Sequence, residues 1–325
     1  MKILILGGVG MAGHMLRRYF ASKPGCEVLY TIRQPADEAL APASSSERFL
    51  VLNALNLGDA DRLLEEVRPD IVINAVGILN QHAEAMPRHA EIVNGWFPHW
   101  IAGKLDELGD GGKLVHISTD CVFAGTVDEA DEVNGVNKAD GADRKVRVIE
   151  GDRRRDTDDS DDRGINGRYR ETDMPDGTSV YARTKAAGEV KDSRHLTIRT
   201  SIIGPEIRSQ GIGLFGWFMK QHGIVHGYTR VLWNGVTTLQ LAKSIDDMLH
   251  RGVSGLYHLT APSCISKHDL LGLIAEQFDK RDVRLIPADM PILDRTLACT
   301  RTDYRAEVPD YPKMLSELRE WMGSS

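Results

Sequence analysis

The start of this chain constrains its fold more than any other stretch. Residues Lys2 to Leu6 form an unbroken apolar run that ends in Gly7-Gly8-Val9-Gly10-Met11-Ala12-Gly13, and helix-like sequence follows from His14 to Ser22. An apolar run without alternation reads as a strand buried on both faces, as in a parallel sheet. The glycines fit Gly-x-Gly-x-x-Gly from Gly8 and Gly-x-x-Gly-x-x-Gly from Gly7. Strand, glycine turn and helix together bring backbone N–H groups at a helix N-terminus against a pyrophosphate. The prediction is a dinucleotide-binding α/β domain with Gly7, Gly10, Met11, Ala12 and Gly13 at the cofactor.

The next stretches repeat the alternation. A second strand, Glu27 to Ile32, ends without the acid that takes the ribose hydroxyls of NAD; Thr31-Ile32-Arg33 places a guanidinium there instead. Arginine suits a 2'-phosphate, so NADP (as NADPH) is expected, with NAD as the alternative. Phe49 to Leu52 reads as a third strand with Asn53 at its end, facing the adenine, and Asp59 to Val67 as an amphipathic helix. Ile71-Val72-Ile73 is a fourth strand ending in Asn74-Ala75-Val76-Gly77, small residues against which a flat ring can lie. One long helix is expected from Arg88 to Leu108, with Asn94 inside it as a structural hydrogen bonder. A fifth strand, Lys113 to Ile117, leads into Ser118-Thr119-Asp120-Cys121, polar groups aimed at the crevice above the sheet.

Composition narrows the classes of partner. The net charge of -7 argues against a nucleic-acid surface, and no apolar segment is long enough to span a bilayer. The N-terminal run is too short for a signal peptide, so a cytoplasmic location is expected. Cys26, Cys121, Cys264 and Cys299 are scattered without ligand spacing, which predicts neither a metal site nor a disulfide framework. Residues 126–166 differ in character: they hold no aromatic residue, 13 acids and 8 bases, and so carry -5 of the total charge. Such a stretch is expected to be a disordered insertion, with a short strand at Val146 to Ile149 and a lid or partner-binding role as alternatives.

After the insertion, Tyr181-Ala182-Arg183-Thr184-Lys185 puts a phenol and an ammonium four residues apart, on one face of a helix. A neighbouring cation is expected to lower the phenol's pKa toward the range of a general acid or base. A strand at His195 to Thr200 follows, then Ser201-Ile202-Ile203, an aromatic segment from Gly213 to His222, and Leu232-Trp233-Asn234. Helices are expected at Leu239 to Leu249, Lys267 to Phe278 and Tyr311 to Met322, with a strand at Gly255 to Thr260. The fold expected is a Rossmann-type doubly wound parallel sheet over residues 1–200, with a smaller C-terminal α+β substrate-binding lobe over 201–325. Parts of 225–260 are expected to return to the first domain.

With Gly7/Gly10/Gly13, Asn74-Ala75-Val76-Gly77, Ser118-Thr119-Asp120 and Tyr181-x-x-x-Lys185 in this order, the chain resembles the extended short-chain dehydrogenase/reductases. Within them it is most similar to the dTDP-4-dehydrorhamnose reductase group, His116 to Gly125 and Leu196 to Ser201 being the most specific stretches. The resemblance implies NADPH-dependent reduction of the 4-keto group of a nucleotide-linked 6-deoxy sugar, in deoxysugar and cell-surface polysaccharide biosynthesis. It implies a triad of Thr119, Tyr181 and Lys185: Tyr181 gives a proton to the keto oxygen, Thr119 orients that oxygen, and Lys185 holds the nicotinamide ribose. It places Thr119, Asp120, Cys121, Ile202 and Trp233 at the sugar, and by family habit implies a homodimer.

Three departures stand out. Such reductases tend to have Tyr where this chain has Cys121 and Trp where it has Ile202, and the 126–166 insertion has no counterpart. A UDP-linked N-acetylated 4-keto sugar, acted on by a reductase or an epimerase, is therefore an alternative. The related dehydratases resemble Thr-Asp-Glu where this chain has Thr119-Asp120-Cys121, and a thiol does not replace that carboxylate. The regulatory subunit of methionine adenosyltransferase resembles the same group, so a non-catalytic NADP-binding regulator is the alternative of another class.

Overall fold

The structure is a computed structural model that describes residues 1–34, 37, 47–125, 167–208 and 211–323. The charged insertion and the strand expected at Val146 to Ile149 lie outside the described residues. In chain order the strands are β1 (Lys2–Leu6), β2 (Glu27–Ile32), β3 (Glu47–Val51), β4 (Ile71–Asn74), β5 (Lys113–Ile117), β6 (Leu196–Arg199) and β7 (Ile202–Ile203). They continue as β8 (Gly223–Tyr228), β9 (Val231–Trp233), β10 (Val236–Thr237), β11 (Gly255–His258), β12 (Ile265–Ser266), β13 (Val283–Ala288) and β14 (Leu293–Asp294). The helices are α1 (Met11–Ala21), α2 (Leu57–Val67), α3 (Asn80–Ala85), α4 (Pro87–Ala90), α5 (Phe97–Leu108), α6 (Val180–Ala187), α7 (Leu214–Met219), α8 (Thr238–His250), α9 (Lys267–Gln277) and α10 (Tyr311–Gly323).

Seven strands, all parallel, form the main sheet in the order β11-β6-β5-β4-β1-β2-β3. The apolar run of β1 explains why both faces are covered. Ile3 and Ile5 pack into one core with Met15 and Phe20 of α1 and Leu241 and Ile245 of α8, while Leu4 and Leu6 pack into the other with Leu64 of α2 and Phe97 and Ile101 of α5. Successive side chains on a strand point to opposite faces, so one continuous apolar segment feeds two cores. From β1 the chain moves outward to β2 and β3 and then crosses back from β3 to β4 on the other side of β1, and the crevice over the carboxyl ends of β1 and β4 is where an open sheet of this kind takes a ligand.

The C-terminal part builds three small sheets, β10-β7, β12-β9-β14 and β13-β8, around α7, α9 and α10. Between them the chain re-enters the main sheet: β11 pairs with β6, and α8 packs on α1.

The long helix expected from Arg88 to Leu108 is one helical run of three pieces. Between α4 and α5 lies a π-helical stretch, Glu91–Trp96, with Asn94 in it. The end of α6 presses on this spot, since a Cβ on Gly188 would stand 1.8 Å from the Asn94 carbonyl oxygen. A π-helical turn of this sort commonly marks a functional site. Periodicity alone does not reveal it, because the widening answers a neighbour far away in sequence.

Candidate active site

The glycine turn is shaped by its contacts. Gly7 has φ +83°, and a Cβ there would meet Val76 and the Ala75 carbonyl; a Cβ on Gly13 would lie 2.1 Å from the Gly7 carbonyl oxygen. The left-handed turn and the tight helix–strand approach both require glycine. A Cβ on Gly10 has only the Gly7 oxygen near it, at 3.3 Å, so its outer side is open. Gly10 caps α1 without a side-chain hydrogen bond, leaving Met11, Ala12 and Gly13 as an uncapped first turn. Gly8, by contrast, is a packing glycine, its Cβ position running into the Tyr30 ring at 2.5 Å.

The other cofactor candidates gather around this turn. Asn74 is fully buried, accepts the Val76 N–H at 3.1 Å and points its amide nitrogen at His116 Nδ1, 3.2 Å away. Ala75 and Val76 abut Gly7, and Asn94 clamps the following segment by accepting the Ile78 N–H and donating to the Ile78 carbonyl and Thr184 Oγ1. Gly77 is exposed, its Cβ position 3.5 Å from Asn94 Oδ1. Arg33 is exposed just past β2, and Asn53, exposed past β3, accepts the Leu55 N–H at 3.2 Å. The turn, the 74–77 segment, Arg33 and Asn53 thus all stand at the carboxyl ends of β1 to β4.

Thr119, Tyr181 and Lys185 come together one strand further along. Thr119 follows β5; its hydroxyl accepts the Cys121 N–H at 3.1 Å and donates to Asp120 Oδ1 at 3.1 Å. Ser179 caps α6 by accepting the Ala182 N–H, which sets Tyr181 and Lys185 in the helix that faces the end of β5. The two are 8% and 4% exposed. Burial raises the Tyr181 phenol's pKa, reinforced by the charges of Cys121 and Asp120, while a hydrogen bond with Thr119 opposes the rise. The expected acidification by Lys185 does not occur. That ammonium donates to the Ile117 carbonyl at 2.7 Å and faces His116 Nε2 at 3.3 Å, and burial brings its own pKa down to about 8. Burial and the neighbouring acids therefore govern the phenol, and spacing on a helix did not tell where the lysine head would turn.

Cys121, expected at the sugar, is half-buried, its thiol pushed up to about 11 by burial and the Asp120 charge. Its Sγ donates to Asp120 Oδ1 at 3.5 Å and accepts from Arg295 Nη1 at 3.6 Å. Ile202 is half-buried in β7, paired with Val236 of β10. Trp233 is only 4% exposed: its ring packs at 5.7 Å from Tyr311, and the Lys267 ammonium lies over it at 5.2 Å. Trp233 is thus mainly a platform for that lysine.

Sequence reasoning missed Lys267, Arg295 and the ion pair behind the site. Arg199 and Glu189, both buried, form a two-pronged pair at 2.7 and 2.8 Å; Ser118 donates to the same carboxylate at 2.9 Å, and Arg199 Nη1 lies 3.2 Å from His258 Nε2. The pair ties the end of α6 to β5, β6 and β11 behind Lys185. Its signal was in the sequence, as an arginine inside the apolar strand Leu196–Arg199 and an acid one helical turn after Lys185.

Two other features lie apart. A groove of about 520 Å³ on the outer side of α6 is lined by Glu91, Trp96, His99 and Arg183 among others, and by none of the predicted site residues. Asp106, Asp192 and His195 bring ligand-type atoms within 4.8 Å of one another. His195 Nδ1, however, accepts the Leu114 N–H at 3.1 Å, which puts the ring proton on Nε2, facing Asp106 at 3.3 Å. A nitrogen that carries the proton of a neutral imidazole has no free lone pair for a metal. Among the described residues no helix is long and apolar enough to cross a membrane.

Comparisons with known proteins bear on the whole arrangement. Residues 1–139 match the family described as RmlD substrate binding domain. Over 300 residues the chain is 24% identical to the dTDP-4-dehydrorhamnose reductase of Salmonella typhimurium, covering 88% of this chain and 81% of that one. It is 24% identical over 294 residues to the probable low-salt glycan biosynthesis reductase Agl14 of Haloferax volcanii, covering 85% and 84%. Among solved structures, a dTDP-4-dehydrorhamnose reductase from Clostridium acetobutylicum superposes with TM-score 0.68 at 19% identity, over 99% of this chain and 100% of that one. The Bacillus anthracis dTDP-4-dehydrorhamnose reductase, solved in complex with NADP, gives 0.67 at 16% identity over 98% and 99%. The resemblance read in the sequence stands, and so does the Rossmann-type fold.

Proposed function

We propose that this chain is an NADPH-dependent reductase of the 4-keto group of a nucleotide-linked 6-deoxy sugar, serving deoxysugar and polysaccharide biosynthesis. The observation that carries the reading is the meeting of Thr119 and the buried Tyr181 above β5, with Lys185 one turn behind on α6 and an uncapped glycine turn alongside. The turn fits a dinucleotide: Gly10 is open, and the N–H groups of Met11, Ala12 and Gly13 are those a pyrophosphate would take. Arg33 would hold the 2'-phosphate, Asn53 the adenine, and the 74–77 segment the flat face of a ring.

The nicotinamide, when bound, supplies the hydride. The rest is done by the chain's own groups. Tyr181, as a phenol, is protonated at neutral pH, and burial makes it hold that proton more firmly, so it is in the state to give the proton to the keto oxygen as negative charge develops there. Thr119, bonded to Cys121 N–H and Asp120, holds its hydroxyl at a fixed point beside that phenol and orients the same oxygen. Lys185 provides positive charge behind the phenolate that results, its position set by the Ile117 carbonyl. The sugar would lie against Asp120, Cys121 and Ile202, with Trp233 behind Lys267.

The test is NADPH oxidation with a dTDP-linked 4-keto-6-deoxy hexose and, separately, a UDP-linked N-acetylated one, for the native chain and Tyr181→Phe. Turnover lost in the variant supports the reading and names the nucleotide. NADPH binding without turnover on either substrate favours the regulatory alternative.

A further inference from the structure

Lys267 is the first residue of α9. That is the wrong end of a helix for a cation, because the N-terminus carries the positive pole of the macrodipole. Nor is the charge answered locally: among the described residues no carboxylate comes within ion-pair distance of Lys267, and its ammonium rests over the Trp233 ring. The side chain is half-buried on the side of the crevice where Asp120 and Cys121 stand, and both of those pull its pKa up against the lowering by burial.

A second cation reaches the same place from another strand. Arg295 follows β14, donates Nε–H to the Ala124 carbonyl at 3.1 Å and lays Nη1 against Cys121 Sγ at 3.6 Å, again with no carboxylate at ion-pair distance among the described residues. In the small sheet β14 runs parallel to β9 and brings Arg295 level with Trp233, while β12 runs antiparallel and carries the Lys267 backbone toward the other end of β9, so it is the long lysine side chain that reaches back over the Trp233 ring. Lys267 and Arg295 thus border the Asp120–Cys121 pair, Lys267 under the charge of Asp120 and Arg295 with Nη1 3.6 Å from Cys121 Sγ. Two cations in a half-buried crevice without a carboxylate at ion-pair distance among the described residues, one of them set against a helix dipole, are what an incoming anion would answer.

We propose that Lys267, supported on Trp233 and backed by Arg295 at Cys121, is a specificity-determining residue that receives an oxyanion of the substrate. The inference rests on the sugar-nucleotide reading of the crevice. The oxyanion is either the diphosphate that links sugar to nucleoside or a carboxylate on the sugar ring.

Calorimetric titration of the NADP-loaded protein and its Lys267→Met variant with dTDP, UDP, UDP-glucose and UDP-glucuronate decides the matter. A loss of ~10-fold or more in dTDP and UDP affinity, the scale of one charge-assisted hydrogen bond, identifies the diphosphate. Unchanged dTDP and UDP affinity with loss of preference for UDP-glucuronate over UDP-glucose identifies a sugar carboxylate. Lys267→Arg, which keeps the charge, should retain most of the affinity in either case. If Lys267→Met does not fold, Lys267→Gln against Lys267→Arg carries the same comparison. Affinities for all four ligands within about twofold of native in the charge-removing variant overturn the proposal, and so does a native protein that binds none of them. The outcome is separable from the reductase reading: ketosugar turnover indifferent to Lys267 sinks this site alone, and Lys267-dependent nucleotide binding without turnover sinks the reductase alone.

Discussion

The ammonium of Lys185 is bonded to the carbonyl oxygen of Ile117 at 2.7 Å, so the cation of the Tyr-x-x-x-Lys pair is anchored to the end of β5 and not to the phenol. Burial brings this lysine's pKa down to about 8 from 10.5. Below about pH 8 the lysine is charged in both the folded and the unfolded chain. Between about 8 and 10.5 only the unfolded chain keeps the proton, so raising the pH there favours the folded state. Relative to Lys185→Met, native stability should therefore gain ~1–3 kcal/mol from pH 7.5 to 10, one pKa unit being about 1.4 kcal/mol. Urea denaturation of both proteins at the two pH values checks this, and a constant difference would contradict the buried, pH-sensitive lysine.

The ion pair of Arg199 with Glu189 is buried at both ends. Arg199→Met leaves the buried carboxylate with only the exposed Lys191 ammonium at 3.6 Å and the Ser118 hydroxyl, and a loss of ~3 kcal/mol, the low end for a broken buried pair, is expected. Glu189→Gln combined with Arg199→Met should regain part of it, since no charge is then left without a partner. Denaturant midpoints of the single and double variants give the comparison.

Gly13 and Gly10 should differ. Alanine at 13 puts a methyl 2.1 Å from the Gly7 carbonyl oxygen, whereas at 10 the nearest atom is 3.3 Å away and belongs to a turn that can give a little. NADPH fluorescence titration should show binding abolished in Gly13→Ala and weakened in Gly10→Ala.

Arg33 is exposed past the end of β2, and no acid follows it directly. Arg33→Glu should lower the preference for NADPH over NADH by about tenfold or more, a charge-assisted contact to the 2'-phosphate being exchanged for repulsion. A preference that does not move would remove Arg33 from the cofactor site.

How much of this could be read beforehand depended on distance along the chain. The turn from Gly7 to Gly13 was legible because its requirements are local: an apolar strand, glycines and a helix start follow one another within a few residues. The doubly wound sheet was legible for the same reason, as strands such as Ile71–Asn74 have an apolar body and are bounded by turn residues. Tyr181 and Lys185 were legible as a pair, but the direction of the lysine was not, since Ile117 and His116, which hold it, arrive from another strand. The π-helical turn at Asn94 answers pressure from Gly188, and Trp233 turned out to carry Lys267 from a separate helix. The cation at the first position of α9 was visible as a breach of helix electrostatics, yet only the assembled crevice shows which site it faces.

The most direct test of the account's central claim is the rate of NADPH oxidation on a dTDP-linked 4-keto-6-deoxy hexose by the native chain and by Tyr181→Phe, with NADPH affinity measured alongside. The account predicts turnover in the native protein and a fall of about 100-fold or more in the variant, within the range for loss of a general acid, at nearly unchanged NADPH affinity. Turnover in Tyr181→Phe close to the native rate would contradict it, since the proton would then come from elsewhere.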